Sequence, residues 1–147
     1  YQFPEKLIPL MVTNAMSGES LPVYGDGLNV RDWIHVDDHC RALDLALRQG
    51  RSGEVYNFGG DAERTNLQVV NTILEQMGAD SSLLTFVEDR LGHDRRYAVD
   101  SSKAKREFLW KPRVAFDEGL AQTIKWYREN GEWLARIRSG AYHRGRA

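Results

Sequence analysis

The sequence predicts an α/β protein in which helices and short strands alternate along one domain-sized chain. Three observations carry that prediction. Runs such as Val30-Arg31-Asp32-Trp33-Ile34-His35-Val36 alternate apolar and polar residues with the two-residue period of a half-buried strand. Between such runs lie segments with helical spacing, clearest in Val69, Val70, Ile73, Leu74 and Met77. Glycines such as Gly18 and Gly78 stand where those helical patterns stop, a position that favours a left-handed residue. The length of 147 residues, 41% hydrophobic and 28% charged, suits one domain with a real core.

The elements follow in order. After Pro4, the stretch from Lys6 to Met16 predicts a helix with Leu7, Leu10 and Met11 inward, and Pro9 is tolerated because it lies near the first turn. Leu21-Pro22-Val23-Tyr24 is extended, and Gly25-Asp26-Gly27 reverses the chain. Residues 30–36 form a strand with Arg31, Trp33 and His35 on one face. Asp37 or Asp38 caps the next helix, in which Leu43, Ala46 and Leu47 face inward until a stop around Gly50 to Gly53. Residues 54–58 resume as a strand ended by Gly59-Gly60, leaving Asn57 at a strand end, where α/β proteins commonly bind ligands. Asn66 is expected to cap the helix of Val69 to Met77. Strands at 84–88 and 96–99 flank a charged loop over 89–95. Ser101 or Ser102 opens a short helix, Pro112 breaks the chain, and Asp117 begins a helix with Leu120, Thr123, Ile124 and Tyr127 inward. From Asn130 onward the pattern is basic and weak.

Composition narrows the function. Twenty Lys and Arg against 21 Asp and Glu give a net charge of -1, which provides no field for a polyanion, so nucleic acid is not an expected partner. No apolar run approaches the ~18 residues of a membrane span, so no membrane association is expected. The lone Cys40 cannot form an internal disulfide; it is expected on the apolar side of its helix, in a reducing, cytoplasmic setting. A start at Tyr1 with no leader pattern leads to the expectation of a piece cut from a longer chain.

Lys6, Arg31 and Arg90 lie next to apolar structure and have the chemistry that a diphosphate requires, the arginines as planar donor forks. Surface charge or structural ion pairing is the alternative for each. Tyr24, beside Pro22, can stack on a base or fill a core. Asn57 can reach a phosphate or hydroxyl, or tie down the turn after it. Asp37-Asp38 reads as helix capping rather than an acid/base pair. The histidine spacings match no zinc pattern, so no metal is expected. The chain has no G-x-G-x-x-G, no P-loop, no G-x-S-x-G and no Y-x-x-x-K, and no residue is assigned a catalytic or cofactor-binding role.

Taken in order, several runs resemble the dTDP-glucose 4,6-dehydratases, a family of extended short-chain dehydrogenase/reductases. They are Tyr1-Gln2-Phe3-Pro4-Glu5-Lys6-Leu7-Ile8-Pro9, Leu21-Pro22-Val23-Tyr24-Gly25-Asp26-Gly27, Val30-Arg31-Asp32-Trp33, Val36-Asp37-Asp38-His39 and Val55-Tyr56-Asn57-Phe58-Gly59-Gly60. The most specific is Asp89-Arg90-Leu91-Gly92-His93-Asp94-Arg95-Arg96-Tyr97, in which Leu91 replaces the usual proline. The likeness extends to Trp126-Tyr127 and Ser139-Gly140-Ala141-Tyr142.

This resemblance implies the C-terminal, substrate-binding part of an extended Rossmann-type fold over residues 1–147, including the last elements of the NAD-binding fold. Lys6 and Leu7 would line the pocket, and Pro22, Val23 and Tyr24 would hold the thymine end. Arg31, Asn57 and Arg90 would grip the diphosphate of dTDP-glucose, under a loop of Asp89, Arg90, Leu91, Gly92 and His93. The family's reaction oxidises the sugar at C4 with NAD, removes water across C5 and C6 and returns the hydride to C6. By resemblance, NAD and the catalytic groups belong to an N-terminal part absent here, so this chain alone is expected to be inactive. The family also implies a homodimer. Another nucleotide-sugar epimerase or decarboxylase of the same fold, a non-catalytic sugar-nucleotide-binding module and a purely structural interaction domain are the competing readings.

Overall fold

The computed structural model describes residues 2–139. Tyr1 and residues 140–142 of the resembling runs lie outside the described residues. Helix α1 (Leu7–Ser17) carries Pro9 in its first turn, where its missing N–H is not needed, and ends on Gly18 at φ 66°. Strand β1 (Leu21–Tyr24) follows, and β2 (Val30–Asp32) leads into α2 (Val36–Gln49). Next come β3 (Glu63–Thr65), α3 (Asn66–Met77), a single 3-10 turn (Ser81–Leu83) and β4 (Leu84–Val87). Strand β5 (Arg96–Tyr97), α4 (Ser102–Phe108), α5 (Phe116–Glu129) and α6 (Gly131–Arg138) complete the described chain.

Two small sheets result. Strands β1 and β4 pair in parallel, Leu21 opposite Leu84. Strand β2 is central in the other sheet, antiparallel to β3 and parallel to β5, with Arg31 opposite both Arg64 and Tyr97. The main core joins Met11 and Val12 of α1, Leu21 and Val23 of β1, the Val69/Val70/Ile73/Leu74 stripe of α3, and Leu120, Ile124 and Tyr127 of α5. A second cluster gathers Ala42, Ala104, Phe108 and Trp110, with Tyr56 and Phe58 packed against it.

Several sequence expectations need correction. Residues 54–58 pair with no strand among the described residues. Their strand-like periodicity survives, with Val55 and Asn57 exposed and Tyr56 and Phe58 turned inward. They are held by rings instead: Tyr56 lies 4.6 Å from Phe108 and Phe58 lies 5.3 Å from Trp110. The β2 strand stops at Asp32, whose side chain accepts from the backbone of the 60–62 loop. In α2 the inward stripe is Asp38, Ala42, Leu45 and Ala46, which leaves Cys40 and Leu43 exposed and Leu47 at 86% exposure. The apolar residues of that helix outnumber those one face can bury.

Capping differs too. The His35 ring, not an aspartate, accepts from the Asp37 N–H at the start of α2. Thr65 rather than Asn66 caps α3, in a reciprocal capping box with Gln68. Asp38 does more than complement a helix end. It is 2% exposed, and its carboxylate accepts from the Arg113 and Val114 N–H groups at 2.8 and 2.9 Å and from Arg41 at 2.6 Å. Burial alone would raise its pKa, but the Val114 N–H, Arg41 and the Arg113 N–H outweigh it and hold the carboxyl below the ordinary range. The weak pattern after Asn130 folds as α6, with Trp133 against Trp126 at 5.1 Å.

Candidate functional site

The site is built on the reversal between β1 and β2. Gly25 and Gly27 take φ of 58° and 70°, which lets the chain turn tightly after Tyr24. A side chain at Gly25 would meet the Asp89 carboxylate at 2.9 Å, so glycine there also admits the loop after β4.

That loop is fastened to the turn at both ends. At its start the Gly25 N–H donates to the Val87 carbonyl at 2.9 Å. At its end Arg95 pairs with Asp26 at 2.8 Å, and the Val30 N–H donates to the Arg95 carbonyl at 2.8 Å. The Asp94 carbonyl accepts from Asn29 Nδ2 at 3.2 Å and from the Arg31 guanidinium at 2.9 Å. Within the loop the His93 ring N–H donates to Asp89 at 2.7 Å, and the Arg90 N–H donates to the same carboxylate oxygen at 2.8 Å. The His93 hydrogen bond, aided by the Arg90 N–H and opposed by partial desolvation, holds the Asp89 carboxyl below the usual range. Gly92 supplies the left-handed residue, φ 71°, and Leu91 is fully exposed at the apex.

The consequence is a shared platform. Tyr24, 40% exposed, has the Arg90 guanidinium 5.3 Å from its ring centroid. The His93 ring meets Tyr24 edge-on at 6.4 Å. Tyr24 thus meets Arg90 and His93 of the loop, whereas Pro22 and Val23 lie opposite Thr85 and Phe86 of β4, Val23 is buried in the main core, and Leu91 makes no contact with them. Arg31 lies at the loop's far end. Its guanidinium donates to the Val30 carbonyl at 2.7 Å and sits 4.1 Å from the Tyr97 ring.

Asn57 is exposed on the segment before Gly59-Gly60. Asp32 pins that segment, accepting from the Gly60 N–H at 2.9 Å and the Ala62 N–H at 2.8 Å. Asp32, next to Arg31 in the chain, thus fixes the loop that follows Asn57. Lys6 is exposed immediately before α1, and Leu7 is half-buried against the main core, on a helix that packs beside β1.

Sequence reasoning missed Asp26, Asn29, Asp32, Asp94 and Tyr97, all of which hold the site together. Only Asp26, in a Gly-Asp-Gly turn, carries a local signal; the others act on partners at least 28 residues away.

Gly27, Gly59 and Gly60 are packed against neighbouring groups, whereas Gly92 in the loop is open. A side chain at Gly59 would meet Asp32 at 2.5 Å, one at Gly60 would run into the Trp33 carbonyl, and one at Gly27 would meet Val23 at 2.7 Å. These three glycines therefore form no open turn of the kind that takes a dinucleotide's phosphates. Among the described residues no group of three His, Cys, Asp or Glu is placed to hold a metal, and no helix is long and apolar enough to cross a membrane.

Comparison with known proteins agrees with the resemblance read from the sequence. The family model described as GDP-mannose 4,6 dehydratase matches residues 1–123. A dTDP-glucose 4,6-dehydratase of Actinoplanes sp. is 56% identical over 132 residues, which are 90% of this chain and 41% of that protein. The crystal structure of dTDP-glucose 4,6-dehydratase from Bacillus anthracis, in complex with NAD, is 55% identical with a TM-score of 0.89, over 93% of this chain and 43% of its own. The enzyme DesIV from Streptomyces venezuelae, with NAD and TYD bound, is 53% identical with a TM-score of 0.88, over 90% of this chain and 41% of its own. This chain therefore spans about 41% of the length of the curated relatives it matches. The mixed α/β fold corresponds to the C-terminal part of those extended short-chain dehydrogenase/reductases.

Proposed function

The chain belongs to the GDP-mannose 4,6 dehydratase family, and on that premise we propose that it is the substrate-binding part of a dTDP-glucose 4,6-dehydratase. One observation carries this reading. The 88–95 loop is fastened at both ends to the β1–β2 turn, so one structure sets Arg90 over Tyr24 and fixes Arg31 at its far end. An aromatic face with one guanidinium over it, and a second guanidinium at the far end of the same loop, suits a nucleoside diphosphate, the base on the ring and the phosphate oxygens on the forks. Pro22, Val23 and Tyr24 hold the thymine end. Arg31, Arg90 and Asn57 take the diphosphate, Lys6 and Leu7 line the sugar side, and Asp89, Leu91, Gly92 and His93 complete the loop above it.

NAD, which would accept and return the sugar's hydride, belongs to the larger remainder of the enzyme, and this chain on its own is inactive. The whole enzyme is a cytoplasmic homodimer acting on dTDP-glucose, in keeping with the family and with a single unpaired cysteine. An epimerase of the same fold would use the same grip. The run at residues 89–97 and the 56% identity to a relative named dTDP-glucose 4,6-dehydratase favour dehydration.

Calorimetric titration with dTDP and UDP tests the reading. The expected result is tighter binding of dTDP, weakened roughly 10- to 100-fold by Arg31→Ala or Arg90→Ala, as for loss of a charge-assisted hydrogen bond. Equal binding of the two nucleotides would point to another nucleotide-sugar enzyme. No binding by the folded chain would remove this assignment of the site.

A further inference from the structure

Arg31 and Tyr97 are direct partners in the parallel β2–β5 register, so their side chains share one face of the sheet. Their contact is close: the guanidinium carbon lies 4.1 Å from the Tyr97 ring centroid. The same guanidinium donates to the Val30 carbonyl at 2.7 Å and the Asp94 carbonyl at 2.9 Å. A long, rotamer-rich side chain is thereby held on one face by a ring and along its edge by two carbonyls. Its other N–H donors are left to meet a ligand.

Burial does not account for Tyr97. The residue is 57% exposed and belongs to neither core cluster. Its strand is only two residues long, and the neighbour Arg96 points to the opposite face, where it makes a two-pronged pair with Glu63 at 2.7 and 2.8 Å. Arg96 thus ties β5 to β3 across β2, while Tyr97 covers Arg31. The arrangement repeats the one at the loop apex, where Tyr24 underlies Arg90.

We propose that Tyr97 is a positioning residue for Arg31, setting the guanidinium for the phosphates before the nucleotide arrives; this deepens and rests on the proposed function. A side chain already ordered in the free protein loses less freedom on binding. The loss of Tyr97 should therefore appear only in the phosphate-dependent part of the affinity.

The test compares dTDP with thymidine in calorimetric titrations of the wild type, Tyr97→Leu and Tyr97→Phe. Tyr97→Leu is expected to weaken dTDP roughly 3- to 10-fold, the range of an exposed to partly desolvated cation–π contact, with thymidine affinity unchanged. Tyr97→Phe, which keeps the ring, is expected to bind both as the wild type does. In 15N NMR the Arg31 Nε–H resonance of the free protein should carry a ring-current shift that persists in Tyr97→Phe and disappears in Tyr97→Leu. A merely structural role would instead change dTDP and thymidine binding together. Unchanged dTDP affinity in Tyr97→Leu, equal losses for both ligands, equal losses in Leu and Phe, or no ring-current shift would each overturn the proposal. A wild type that binds dTDP no better than thymidine would overturn the diphosphate grip itself, and the role of Tyr97 with it.

Discussion

Replacing Asp32 by alanine removes two acceptors at once. The Gly60 and Ala62 N–H groups, both partly buried and now bonded at 2.9 and 2.8 Å, lose their partner. Each orphaned donor costs about 1–3 kcal/mol, and water reaching the half-buried site brings the sum to about 2–4 kcal/mol. The effect should be local in structure but not in function, because the freed 60–62 loop follows the segment that carries Asn57. Urea unfolding followed by tryptophan fluorescence is the assay, with Trp33 as the adjacent reporter. Asp32→Asn keeps one acceptor and should lose about half as much. Both variants should bind dTDP more weakly than wild type under conditions where both remain folded. A loss below about 0.5 kcal/mol for Asp32→Ala, the level of an ordinary surface substitution, would refute the pinning role. Full stability loss with unchanged nucleotide affinity would refute the link to the site.

Asp38 predicts a pH effect. Its carboxyl is held below its unfolded value, so its contribution is fully present above about pH 4 and is lost as pH falls through the depressed folded value. Asp38→Asn should be about 2 kcal/mol less stable at pH 7 and should lose less further stability between about pH 4 and pH 2 than the wild type. Parallel curves would exclude it; urea titrations at each pH supply them. Gly60→Ala places a Cβ into the Trp33 backbone and 3.0 Å from Ile34 Cα, and should cost about 1–3 kcal/mol with a matching fall in dTDP affinity. Gly131→Ala, with nothing within 4 Å at the start of α6, should be neutral or slightly stabilising in urea unfolding.

The sequence by itself determined the α/β class and the position of most helices. Helical periodicity and glycine stops are local properties, so the α3 stripe from Val69 to Leu74 and its end at Gly78 were legible without the fold. The resemblance was legible for a related reason, since runs such as residues 89–97 carry charged groups in a fixed order. Tertiary structure decided the rest. Whether residues 54–58 form a strand depends on a neighbour to pair with, and their alternating pattern alone cannot supply one. Which side of α2 is buried depends on where Phe108 and Trp110 arrive, and so Cys40 and Leu47 face out despite their apolar character. The roles of Asp32, Asp38 and Tyr97 depend on partners up to 76 residues away, brought close by sheet register and loop closure. Hydrogen bonding and ring contact depend on distance in space, and a lone chain pattern encodes that distance only through the packing of everything between.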